Sequence, residues 1–102
     1  MKQLLAGLAL SLSAMAAQAD EISGDWCSPL GAHLRIEGEE IVTPGGQRTH
    51  GVYGRHSYEF IVPDGEEGAG LVVRMQQLSE EQMVLTYEGR DPEEWRRCQV
   101  VS

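Results

Sequence analysis

Two cysteines, Cys27 and Cys98, bracket most of the chain, and whether they are joined decides what so short a polypeptide can fold into. A disulfide needs Cα atoms within about 7 Å of each other. Such a bond would bring both ends of the enclosed segment to one place. The compartment sets the expectation. Lys2 is followed by an apolar run, Leu4 to Ala17, broken only by Gly7, Ser11 and Ser13. Then come Ala17-Gln18-Ala19 and, directly after, acidic Asp20 and Glu21. A basic start, a short apolar stretch and a small-residue A-x-A site are the three parts of a cleavable secretory signal. A membrane span needs about 20 apolar residues, and this run stops short, so residues 1–19 are expected to be removed and to leave no anchor. No cysteine stands at the cleavage point, which argues against a lipid anchor there. The short Ala- and Leu-rich leader points to a bacterial periplasm, or to secretion beyond it. In an exported domain an even cysteine count implies a disulfide, and two cysteines allow only Cys27 with Cys98. A redox pair would show C-x-x-C spacing, far from the spacing here.

Removal of 19 residues from 102 leaves residues 20–102, an 83-residue chain expected to form one domain. A chain of that size buries only about 60–65% of its unfolded surface, so a covalent staple matters. Closing a loop of about 70 residues is worth roughly 4 kcal/mol in the chain-entropy account, a large share of the ~5–15 kcal/mol typical of a domain. Loss of Lys2 also leaves 16 acids against 7 arginines and no lysine, a formal charge of −9. That balance repels phosphate backbones and anionic membrane surfaces. Nucleic acid is therefore not an expected partner. The acidic surface serves solubility, and would steer a basic protein partner.

The remaining chain reads as short β-type segments between Gly, Pro and acidic turns. They are 25–28, 33–37, 40–43, a weak segment at 48–53, 56–62, 71–78, 83–88 and 95–101. Alternation is clearest where Tyr58, Phe60 and Val62 face one way, and where Leu71, Val73 and Met75 oppose Arg74 and Gln76. Gly38-Glu39 is a tight turn, and 63–70 (Pro-Asp-Gly-Glu-Glu-Gly-Ala-Gly) is expected to be a flexible loop. No window of ordinary helix length carries an apolar period of 3.6. About seven to eight strands at this spacing predict an all-β domain, a small antiparallel meander barrel or sandwich. Barrel closure sets the first and last strands side by side, which the disulfide also requires. Val42, Val72 and Val84 fall on otherwise polar faces, which hints at a second apolar surface.

Gly24-Asp25-Trp26 opens the first strand and Trp95-Arg96-Arg97 begins the last. This resembles the G-x-W of the lipocalin and calycin barrels. The resemblance implies that Trp26 plugs the barrel base, with Arg96 or Arg97 packed across it as a cation–π partner. The chain is only about half lipocalin length, so the resemblance bears on architecture more than on a ligand cup.

Chemistry-bearing patterns are sparse. Disulfide-bonded cysteines cannot act as nucleophiles, there is no G-x-S-x-G, and Ser57 beside His56 points to the opposite face of a strand. The acidic pairs Glu39-Glu40, Glu66-Glu67, Glu80-Glu81 and Glu93-Glu94 read as solvated turn charges. His33, His50 and His56 lack metal-ligand spacing, and Asp64-x-Glu66 fails the calcium-loop pattern because Met75 holds the twelfth position. No catalytic residue, metal ligand or cofactor is therefore assigned. The expected function is that of an exported, non-catalytic binding or accessory protein, an inhibitor or a lipocalin-like ligand binder. It would engage a protein partner or a small apolar ligand through a loop or barrel mouth, with the 44–56 stretch and the 63–70 loop as candidates. The alternative is a small metal-binding protein or hydrolase using His33, His50, His56 and the acids.

Overall fold

In the computed structural model, which describes residues 21–99, the alternating segments form nine strands. They are β1 (Gly24–Cys27), β2 (His33–Glu37), β3 (Glu40–Val42), β4 (Arg48–His50), β5 (Val52–Gly54), β6 (Ser57–Ile61), β7 (Val72–Gln77), β8 (Gln82–Tyr87) and β9 (Glu93–Arg97). The signal-peptide reading falls on residues 1–19, outside the described residues. The count is nine, not seven or eight, because the weak segment at 48–53 divides at Gly51 into β4 and β5. Strand edges also shift. Glu93 and Glu94, expected in a turn, begin β9. Both are exposed: Glu94 points to the solvated outer face, while Glu93, on the face of Trp95, accepts from its indole N–H at 3.0 Å.

All nine strands form one antiparallel sheet in the order β4-β3-β2-β1-β9-β8-β7-β6-β5. Strands adjacent in sequence pair, except β4 with β5, and β1 also pairs with β9. The two ends of that order, β4 and β5, are separated in sequence by Gly51 alone. The sheet therefore curls into a nearly closed barrel rather than a sandwich. A Cβ on Gly51 would stand 2.3 Å from the Glu59 carbonyl oxygen and 2.8 Å from the Tyr58 ring. Only glycine allows the chain to pass so close to β6. Its N–H donates to the Glu39 carbonyl at 2.9 Å, which fixes the bend against β3.

The period of two fills the barrel. Leu34 and Ile36 on β2, Tyr58 and Phe60 on β6, Val73 and Met75 on β7, and Met83 and Leu85 on β8 point inward and are buried. Trp26, Trp95 and Ile22 join them, with Ile22 and Trp26 fully buried. The interior is thus occupied by the chain's own apolar side chains. Gln77 completes the inward row of β7, where sequence periodicity alone offers no reason for a polar residue.

The ends of the barrel differ. One end, where β1 begins and β9 finishes, is crossed by residues 21–23 and by the turns after β5 and β7. The opposite end carries the loops 28–32, 43–47, 62–71 and 88–92.

Candidate functional site

At the first end, pairing register decides which arginine meets Trp26. Residues directly opposite in an antiparallel ladder project to the same face. Trp26 is opposite Arg97, and Cys27 is opposite Arg96. Arg97 accordingly shares the inner face with Trp26, its guanidinium carbon 4.1 Å from the ring centre. Arg96 lies outside, against Glu94 at 3.1 Å. The Arg97 guanidinium donates to the carbonyls of Glu80 at 2.8 Å, Ser23 at 2.7 Å and Glu21 at 2.6 Å. The Trp26 indole N–H donates to the Ile22 carbonyl at 2.8 Å. Gly24, at a φ of 123°, leaves room for Arg97, since a Cβ there would lie 2.7 Å from its Nη1. Burial lowers the Arg97 pKa from its ordinary value, while Glu81, Glu80, Asp25 and Glu21 oppose that shift. The Tyr53 hydroxyl donates to the Glu21 carboxylate, a bond that raises the phenol's pKa, with burial adding to it. On the outer face Cys27 and Cys98 are disulfide-bonded, with Cα atoms 5.0 Å apart.

The same end holds Gln77, whose side-chain amide is buried with neither its oxygen nor its nitrogen hydrogen-bonded. A group that could make several bonds therefore makes none.

At the opposite end the 63–70 loop, expected to be flexible, is tied down. The Glu66 carboxylate accepts from the buried Thr43 hydroxyl at 2.5 Å, from the Gly45 N–H at 3.2 Å and from the Gln47 amide at 3.1 Å. Gln47 also donates to the Asp64 carbonyl at 2.9 Å. Backbone bonds from Gly70 to Val62 and from Val62 to Leu71 complete the loop. Glu66 thus works as an internal fastener, which its sequence context did not signal.

The outer wall divides into two halves. Across β1 to β4 runs a charge stripe. Asp25 pairs with His33 at 2.9 Å and with Arg35 at 2.7 Å, and Arg35 also reaches Glu37 at 2.7 Å. Arg48 lies 3.8 Å from Glu37 and 3.5 Å from Glu40, and His50 lies 3.6 Å from Glu40. The hydrogen bond and charge of Arg35 lower the Glu37 pKa, and Glu37 with Asp25 raises that of Arg35. His56 sits in the turn before β6. Among the described residues no three His, Cys, Asp or Glu side chains gather to hold a metal ion. The three histidines are brought to separate places.

Across β5 to β8 the wall is less charged. Val52 and Ile61 are 73% and 59% exposed, Val72 and Val84 are half-buried, and Glu59 pairs with Arg74 at 3.4 Å. Two open concavities meet at Val52 and Glu59. One, about 340 Å³, is lined by Ser57, Arg74, Gln76, Val84 and Thr86 among others. The other, about 360 Å³, lies over the bend at Gly51 between Thr49–His50 and Phe60–Ile61. This region falls partly within the 44–56 stretch singled out from sequence. Comparison with family models, with curated proteins and with solved structures finds no match to this chain.

Proposed function

We propose that this protein is an exported, non-catalytic binding or accessory protein that engages a partner protein through its outer wall. The observation that carries this reading is the filled barrel. Among the described residues thirteen apolar side chains, each no more than 4% exposed, occupy the core. A lipocalin-like ligand would have to displace them, and each buried Leu, Ile or Phe contributes roughly 1.5–3 kcal/mol. Recognition is therefore assigned to the outside. The exposed apolar residues Val52 and Ile61 beside the Glu59–Arg74 pair mix apolar and polar character as an interface does. The periplasm or the extracellular space is the compartment that suits a disulfide-closed domain.

Affinity capture from the exported fraction of the native host, using the oxidised processed chain as bait, tests the reading. One protein recovered in stoichiometric amount supports it. Recovery of no protein, with a lipid or other small molecule co-purifying, contradicts it.

A further inference from the structure

The disulfide has neighbours that separation along the chain does not reveal. Residues directly opposite one another across β8, β9, β1 and β2 run Gln82, Arg96, Cys27, His33. All four project to the outer face. Cys27 thus has a basic residue directly opposite it on each neighbouring strand, with Cβ atoms about 4.5–5.5 Å from its own. No carboxylate holds either position, although Asp and Glu outnumber Lys and Arg by 16 to 8 in the chain. The acids nearest this row are engaged by its cations. Asp25 on β1 pairs with His33 at 2.9 Å and with Arg35 at 2.7 Å, and Glu94 on β9 pairs with Arg96 at 3.1 Å. The side chains of His33 and Arg96 are more than half exposed.

The bond also borders open space. Cys27 and Cys98, both half-buried, line a concavity of about 410 Å³ with Ser28, Pro29, Glu94 and Arg96. It crosses the shortest ladder among the described strands, two residue pairs between β1 and β9 against three or more between every other pair of neighbours. A cysteine's reactivity follows the charge and exposure of its sulfur. Exchange is faster where the departing thiolate is stabilised.

We propose that Cys27–Cys98 is a thiol–disulfide exchange site for a dithiol oxidoreductase, with Cys27 as the leaving thiolate between Arg96 and His33. This goes beyond the protein-binding reading and does not rest on it. One thiolate of the dithiol attacks the Cys98 Sγ. The bond between the two cysteines breaks, and its electron pair leaves on the Cys27 Sγ. The second thiol gives its proton to the Cys27 thiolate and attacks the reagent sulfur of the mixed disulfide. That releases Cys98 as a thiolate, which takes a proton from solvent. The cystine gains two electrons, and the dithiol loses two and becomes a disulfide. The reverse sequence restores the staple.

The probe is dithiothreitol, added to the oxidised protein at neutral pH, with free thiols trapped by alkylation and counted by intact mass. The same protein unfolded in concentrated urea is the reference, because unfolding removes the ladder that sets Arg96 and His33 beside Cys27. Oxidised glutathione, reduced in each solvent, corrects for the urea. A staple reached only through unfolding is reduced more slowly in the folded protein than in the unfolded one. Direct exchange predicts the reverse, with the folded protein reduced about fivefold faster. Arg96→Ala should slow the folded rate about threefold, and Arg96→Lys should keep most of it. Glu94→Gln, which removes the charge opposing Arg96, should raise the rate about twofold. In urea these differences should shrink. Slower reduction of the folded protein than of the unfolded one, or a folded rate indifferent to Arg96→Ala, overturns the exchange site. Either result leaves the protein-binding reading as it stands.

Discussion

Arg97 stacks its guanidinium 4.1 Å from the Trp26 ring centre and holds three backbone carbonyls, those of Glu21, Ser23 and Glu80. One side chain thus joins the last strand, the segment before the first strand and the turn before β8. Charged hydrogen bonds contribute about 1.5–3 kcal/mol each and are not additive. Arg97→Ala should lower the unfolding free energy of the oxidised protein by about 2–4 kcal/mol. Arg97→Lys should recover less than half of that, because an ammonium cannot reproduce the planar fork. Arg96→Ala, outside the barrel, should change stability by no more than about 0.5 kcal/mol. Urea unfolding of the three variants checks the order, and equal losses at both arginines would contradict it.

Gln77 makes the opposite case. Its amide is buried with both polar atoms unpartnered, so it bears a desolvation cost of about 1–3 kcal/mol. Gln77→Met keeps similar length and removes that cost. The expected result is a gain of about 1 kcal/mol, read as a higher urea midpoint with an unchanged slope. A loss of stability would mean that the amide is bonded in solution.

Glu66 fastens one loop to another through Thr43, Gly45 and Gln47. Glu66→Ala should leave the buried Thr43 hydroxyl without its acceptor and cost about 1–3 kcal/mol. The local signature is sharper than the global one. Exchange of the Gly45 amide should accelerate, while amides paired between β7 and β8 keep their protection. Unchanged exchange at Gly45 would remove the fastening role.

Tyr58 sets an upper pH limit. Burial, then the charges of Glu39 and Glu40, push its phenol up to about 12 from the ordinary 10.0. The folded chain therefore holds this proton more tightly than the unfolded chain does. The resulting stabilisation is fully present below pH ~10 and is lost as pH rises toward ~12. Tyr58→Phe removes the bond to the Glu39 carbonyl, at a cost of about 1 kcal/mol at neutral pH. Between pH 10 and 12 the wild type should lose up to about 2 kcal/mol more than the variant. Parallel stability curves for the two proteins across that range would contradict the assignment.

The fold was largely legible where one face of a strand is apolar and the other polar. Leu34/Ile36, Tyr58/Phe60 and Val73/Met75 point inward as alternation predicts. The cysteine pair also located the contact between first and last strands. What escaped the sequence lies in long-range polar geometry. Nothing local distinguishes Glu66, which fastens a loop, from Glu67 beside it. The choice of Arg97 over Arg96 needs the ladder register, which periodicity leaves free by one residue. Gly51 read as an interruption of a weak strand, whereas it is the bend at which the barrel wall nearly closes. The open concavity over that bend lies where pairing between neighbouring wall strands stops, and residue types do not encode that.

The central claim is that recognition occurs on the outside of a filled barrel and that the partner is a protein. Native mass spectrometry of the protein purified from the exported fraction of its own host tests this most directly. The account predicts a complex whose mass is that of the processed, oxidised chain plus one further polypeptide, with no small molecule retained by the chain once the complex is dissociated. A chain that appears only with a bound lipid or other small molecule, and with no polypeptide partner, would contradict it.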